Sequence, residues 1–231
     1  MAIVLYELAG ADPDLRFSPY CWRIRMALAH KGVPAEGRPW RFTEKETIAP
    51  AGKSTVPVIV DRGEWVGDSS DIARHLEERY PDRPSLFGSD SGRALARFFQ
   101  EWTNAVVHAG VIRLVLTDIY AVIDDKDRAY FRESREKRFG TSLEAVAADR
   151  DRRLPEFRKS LAPLRATLQA QPFLGGESPL YPDYIVFGAF QWARVVSDFE
   201  LLEKDDPVAL WRDRLLDAFD GLARRAKTAS R

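Results

Sequence analysis

Ser18-Pro19-Tyr20-Cys21-Trp22-Arg23 follows a short apolar run, Ile3-Val4-Leu5-Tyr6, and leads into Ile24 to Leu28, whose spacing is that of an amphipathic helix. The hexapeptide therefore reads as a strand-to-helix turn. A redox-active Cys-x-x-Cys works at such a turn because the helix N-terminus stabilises the thiolate of its first cysteine. Here the first position is Ser18 and the second is Cys21. A serine cannot form a disulfide with Cys21, but its hydroxyl can donate a hydrogen bond to a thiolate carried by a second molecule. Serine before proline is also a common helix N-cap. On the hexapeptide alone both readings stand.

Outward from this turn, Lys31-Gly32-Val33-Pro34 stops the helix, and Pro57-Val58-Ile59-Val60 is a second β-branched strand. Asp61-Arg62-Gly63-Glu64 signals a turn into Trp65-Val66, giving a hairpin. Ser69 is expected to cap a helix with apolar positions at Ile72, Ala73, Leu76 and Tyr80. The first part of the chain is thus an α/β unit, β-α-β followed after an interval by β-β-α. Pro81-Asp82-Arg83-Pro84-Ser85 breaks it, which divides the chain into residues 1–83 and residues 84–231.

Everything beyond the break has helical periodicity. Leu95, Phe98, Phe99, Trp102, Val106, Ile112, Leu116 and Ile119 read as one buried stripe. Phe157 to Leu168, Tyr184 to Val195 and Leu210 to Leu222 repeat the signal, so an all-helical bundle is expected. Pro155 and Pro163 each remove a backbone donor and predict a helix start or a kink.

Composition excludes several classes. The 231 residues are 45% hydrophobic and 30% charged, an ordinary globular balance. Lys plus Arg and Asp plus Glu both total 35, so nothing calls for nucleic acid or an anionic membrane surface. No window approaches the roughly 20 apolar residues of a membrane helix. One cysteine, with an N-terminus unlike an export signal, points to a reducing, cytoplasmic setting. His30, His75 and His108 are scattered without metal-ligand spacing and read as surface or packing residues, so no metal is expected.

Two further features join Ser18. In Thr55-Val56-Pro57-Val58, a proline entering an apolar strand fits a cis peptide bond that leaves the Val56 carbonyl and amide free for a peptide ligand. Asp68-Ser69 places a carboxylate acceptor, a hydroxyl donor and open amides at a helix N-terminus, a set suited to an amino-acid head group.

With Ser18, Val56-Pro57 and Asp68-Ser69 in that order, then a proline-containing linker and a helical half, the chain resembles a glutathione S-transferase. It is most similar to the bacterial β-etherases that cleave lignin aryl ethers. That narrower resemblance lies in Ser18-Pro19-Tyr20 with Trp22-Arg23, Val56 to Asp61 with Gly63 to Val66, Tyr80 to Pro84, and Asp127-Arg128 through Ser134-Arg135-Glu136. It implies a thioredoxin-like N-terminal domain that binds glutathione, and an aromatic electrophile in the cleft against the helical domain. Ser18 would polarise the sulfur, Val56 would pair with the cysteinyl backbone, and Asp68 and Ser69 would hold the γ-glutamyl end. A homodimer is also implied. Where relatives have Ser, Thr or Asn three residues before a helix aspartate, this chain has Leu180 before Asp183, so the usual capping box is incomplete.

For the electrophile, Trp22, Trp102, Val106 and Arg113 are the expected lining residues, with Tyr130, Phe131 and Trp192 as further aromatic candidates. Cys21, at the second Cys-x-x-Cys position, reads as structural. Competing readings are a broad detoxifying conjugation without ether specificity, a non-catalytic interaction module in which Ser18 only caps, and a thiol reductase working through Cys21.

Overall fold

The computed structural model describes residues 2–230. Strand β1 (Ile3–Leu8) alternates buried and half-buried residues before ending in a buried pair. It pairs in parallel with β2 (Ala35–Trp40), and helix α1 (Pro19–His30) forms the crossover between them. On its other side β1 pairs antiparallel with β3 (Val58–Asp61), which turns back into β4 (Glu64–Gly67). The sheet order is β2-β1-β3-β4. Both residues of the hairpin loop, Arg62 (φ 51°) and Gly63 (φ 88°), have positive φ, the type I′ geometry that matches strand twist. Strand β2 carries no periodic signal: Ala35 to Pro39 are all exposed on the sheet edge.

Helix α2 (Ser69–Arg79) completes this half. Its cap is Asp68, not Ser69: the carboxylate accepts from the Ser70 amide at 2.8 Å, and Ser69 is the first helical residue.

The helical half begins with a continuous run, α3 (Asp90–Trp102), a π-helical turn (Thr103–His108) and α4 (Ala109–Val122). By length and composition this run could cross a membrane, contrary to the sequence expectation. In the fold it is a bundle helix, with Val107, Val111, Leu114, Val115 and Leu116 buried by protein. Then come α5 (Asp125–Phe139), α6 (Leu143–Ala147), α7 (Arg150–Ser160), α8 (Ala162–Ala170), α9 (Tyr181–Val196) and α10 (Pro207–Gly221). Pro163 lies in the first turn of α8, whereas Pro155 is accommodated within α7. Leu95 (58% exposed), Phe98 (63%) and Leu210 (49%) stand on the surface and do not belong to the buried stripes expected of them.

Helix α9 is the centre of the bundle, buried along almost its entire length, and it packs directly on α1. Gly188 makes the approach possible: a Cβ there would lie 2.3 Å from the Pro19 carbonyl oxygen. The start of α9 solves its capping problem without a side-chain cap. The Tyr181 amide donates to the Leu86 carbonyl at 2.7 Å, Pro182 has no N–H, and the Asp183 amide donates to the Leu180 carbonyl at 2.9 Å. The buried Asp183 carboxylate in turn accepts from the amides of Leu180, Leu174 and Gly175 and from the Trp211 indole, at 2.7 to 3.0 Å. Burial pushes this carboxyl up from its ordinary pKa, against four donors that favour the ionised form.

Candidate active site

A cleft of about 700 Å³ lies between the sheet half and the helical half, and Ser18, Val56, Pro57, Asp68 and Ser69 all line it. Ser18 caps α1, its Oγ accepting from the Cys21 amide at 3.3 Å. The hydroxyl hydrogen is not used by that bond. The Val56-Pro57 peptide bond is cis. Asp68 adopts φ 81°, a sparsely populated backbone state for a residue with a side chain, and such states cluster at functional sites. Its Oδ1 receives both cap bonds, from Ser70 and Asp71. The Ser69 carbonyl accepts from the Tyr181 hydroxyl at 2.8 Å, so α9 supports the first turn of α2 as well as that of α1.

Cys21 is 1% exposed, and burial pushes its thiol up to about 12. A thiol held protonated and out of solvent is no nucleophile, which removes the reductase reading.

The π-helical turn shapes the opposite wall. Widening the helix there keeps residues four apart in line, so Gln100, Asn104, His108 and Ile112 all face the cleft. Trp102 and Val106, expected from ordinary helical spacing, are rotated off it and do not line it. Arg113 is also absent from the lining and lies over the Phe139 ring, 4.9 Å from its centroid. Trp22 is 1% exposed, packed in the core with its indole N–H on the Arg16 carbonyl at 2.9 Å. Tyr130 stays outside the cleft, while Phe131 and Trp192 line it together with Phe42 and Ile119.

A polar chain runs along this wall. Tyr20 donates to Asn104 Oδ1 at 3.1 Å, and His108 Nδ1 lies 3.3 Å from the Tyr20 oxygen, which is then free to accept. Burial, aided by the cations Arg23 and Arg138, depresses the His108 pKa to about 3, so the ring is neutral and donates through Nδ1–H. Beneath it Arg23 is fully buried, its guanidinium stacked on Tyr20 at 4.5 Å and reaching Asn104 at 3.5 Å. Tyr20 and Asn104 are not among the residues expected here, and His108, expected as a surface or packing residue, is buried against Tyr20 and Trp192 and also lines the cleft. The signal for Tyr20, its place directly after Ser18-Pro19, was available.

Helix α5 roofs the cleft. Its buried Asp127 accepts from the Phe42 amide at 2.9 Å, and Arg41–Asp124 (3.1 Å) and Lys126–Glu44 (2.6 Å) ion pairs flank that contact. The cluster fixes α5 to the segment after β2, which sets Phe131, Arg135 and Arg138 facing the cleft. No group of three or more His, Cys, Asp or Glu that could hold a metal occurs among the described residues.

Comparison with known proteins gives a consistent picture. A family model described as glutathione S-transferase, N-terminal domain, matches residues 17–79, and one described as glutathione S-transferase, C-terminal domain, matches residues 94–220. The glutathione S-transferase-like protein ustS of Aspergillus flavus is 28% identical over 204 residues, which is 74% of this chain and 72% of that protein. In structure the fold resembles glutathione transferase GSTFuA3 from Phanerochaete chrysosporium, with TM-score 0.83 at 23% identity over 93% of this chain and 96% of the other. It also resembles CsGST63524 of Ceriporiopsis subvermispora, solved in complex with glutathione, with TM-score 0.81 at 23% identity over 95% and 97%.

Proposed function

Because the chain belongs to the glutathione S-transferase family, we propose that it is a serine-type transferase that activates glutathione for attack on an aromatic electrophile, with cleavage of a β-aryl ether as its reaction. The observation that carries this reading is the Ser18 hydroxyl at the N-terminus of α1, facing a cleft that also presents Val56, Asp68 and Ser69. Val56 pairs with the cysteinyl backbone of the tripeptide. Asp68 Oδ2, not engaged in the cap, takes the γ-glutamyl ammonium, and the first turn of α2 at Ser69 takes its carboxylate.

A free alkyl thiol of pKa about 8.5 is only a few per cent ionised at pH 7. Lowering that pKa by about 2 units needs roughly 2.7 kcal/mol of preference for the thiolate. One charge-assisted hydrogen bond supplies about 1.5–3 kcal/mol and a helix N-terminus about 0.3–1. Ser18 and the first turn of α1 are therefore sufficient. The thiolate displaces a phenoxide from the ether carbon, forming the C–S bond as the C–O bond breaks; the phenoxide then takes a proton and leaves as the phenol.

A reducing cytoplasmic setting suits this co-substrate, and a homodimer through the exposed Leu95 and Phe98 face of α3 suits the family. The test is calorimetric titration with glutathione, followed by chromatographic assay of phenol release from a β-aryl ether by wild type and Ser18→Ala. Saturable glutathione binding with phenol release that collapses in the variant is the expected result. No glutathione uptake at millimolar concentration would overturn the reading.

A further inference from the structure

The electrophile half of the cleft has an electrostatic character that the transferase reading does not require. Apart from the Tyr20 phenol, whose pKa burial raises, five lining residues are titratable: Lys53, Asp68, His108, Arg135 and Arg138. Asp68 is engaged at the start of α2 and His108 is neutral, while Lys53 lies on the glutathione side next to Thr55 and Val56. That leaves Arg135 and Arg138, one helical turn apart on α5, as the charged lining residues on the electrophile side among the described residues, Arg23 being buried behind Tyr20 and outside the lining.

Neither arginine has a carboxylate partner among the described residues. The nearest acid on their own helix, Glu136, is taken by Arg132 at 2.8 Å. Arg135 is held by aromatic faces, 4.5 Å from the Phe131 centroid and 5.2 Å from that of Phe42, with Nη1 on Ser134 Oγ at 2.8 Å. Stacking of this kind orients a guanidinium while leaving most of its N–H edge unused. Arg138 is exposed, yet its field reaches Tyr20 and His108 within the cleft. Two cations without a carboxylate partner among the described residues, in one cleft lining with the apolar Phe42, Ile112, Ile119 and Trp192, complement a flat ring that carries an anion.

We propose that Arg135 and Arg138 select an electrophile bearing a carboxylate on its aromatic ring, the ring lying in the cleft beside the half-buried Phe42 and the carboxylate on the two guanidinium groups. This rests on the cleft being the electrophile site of a transferase. The experiment separates the two ideas by using ligands that cannot react. Binding of 3,5-dinitrobenzoate and of its methyl ester, neither of which has a leaving group, is followed by quenching of tryptophan fluorescence, Trp192 lying in the cleft wall. The acid is expected to bind at least tenfold more tightly than the ester, and the ratio is expected to shrink as salt is raised. Arg138→Gln and Arg135→Met should each cut that ratio severalfold, and the double variant should bring it close to one, with thermal melts confirming that the variants fold.

The reactive pair, 4-chloro-3,5-dinitrobenzoate and its methyl ester, shares a leaving group but the ester activates the ring more, so kcat/KM divided by each compound's uncatalysed rate with glutathione should favour the acid as binding does. An acid-to-ester binding ratio near one in the wild type, or a ratio that survives the double substitution, overturns the proposal. If the acid is preferred but glutathione is consumed with neither reactive compound, the transferase reading fails while the anion site stands.

Discussion

Asp127 Oδ1 lies 2.8 Å from the Thr43 hydroxyl and 3.0 Å from the Thr43 amide, across a sequence separation of 84 residues. A fully buried carboxylate thereby joins the roof of the cleft to its floor. Asp127→Ala would leave two amides and a hydroxyl without their acceptor, at a cost of about 2–4 kcal/mol. The melting temperature should fall by about 5–15 °C in a thermal scan. Asp127→Asn retains one acceptor oxygen and should fall between wild type and alanine.

Ser18→Ala removes the donor to the thiolate and a helix cap together. Loss of one charge-assisted hydrogen bond predicts a fall of about 10–100-fold in kcat/KM and a rise of about 1–2 units in the pKa of bound glutathione. That pKa is read from thiolate absorbance in the ultraviolet. The cap should account for only about 1 kcal/mol of stability. A variant that loses stability but keeps its rate would leave Ser18 as a cap alone.

Cys21 gives the opposite expectation. With the thiol buried and its pKa pushed to about 12, the native protein should resist iodoacetamide at pH 8 and react only on unfolding. Cys21→Ala should retain transferase activity within about twofold, since a buried and protonated sulfur takes no part in the chemistry.

His108 should dominate the acid side of the stability profile. Its pKa falls from 6.5 in the unfolded chain to about 3 in the fold, so between these values the unfolded state binds more protons. Its contribution is present in full above pH 6.5 and is lost as the pH drops toward 3. Stability should decline by about 1.4 kcal/mol per pH unit for this group. His30, also depressed by burial, adds to the slope. Urea titrations at pH 6, 5.5 and 5 should show a shallower decline in His108→Gln, with the His30 part remaining.

Leu95 and Phe98 offer the most accessible test of assembly. Light scattering should report a dimer for wild type and a monomer for Phe98→Glu, because a carboxylate inserted in an apolar contact costs far more than the ring contributes.

The stretches that follow simple rules were legible from sequence. Strand β1, the turn at Ser18, the β3-β4 hairpin and the apolar α9 each obey one local periodicity or turn code. The cleft wall was not legible, because a π-helical turn at Thr103–His108 changes the period within a helix, and residues such as Trp102 and Val106 point elsewhere as a result. Strand β2 escaped because an exposed edge containing Gly37 and Pro39 has neither alternation nor β-branched residues. Ser69 has the residue type favoured at a cap, but the chain instead uses Asp68 at positive φ, a conformation that composition does not announce. Leu95 and Phe98 have the spacing of interior residues yet stand on the surface, because periodicity cannot tell an apolar face that meets the core from one left exposed.

Gly188 against Pro19 and Tyr181 against Ser69 mean that one helix of the C-terminal half buttresses both helix starts that face the cleft. The two halves should therefore melt as a single calorimetric unit, with van't Hoff and measured enthalpies in agreement. An isolated sheet half would expose the surface that α9 covers and lose the support of both helix starts. Recombining it with a foreign helical half should succeed only where the incoming helix brings a small residue and a phenol at these same two places.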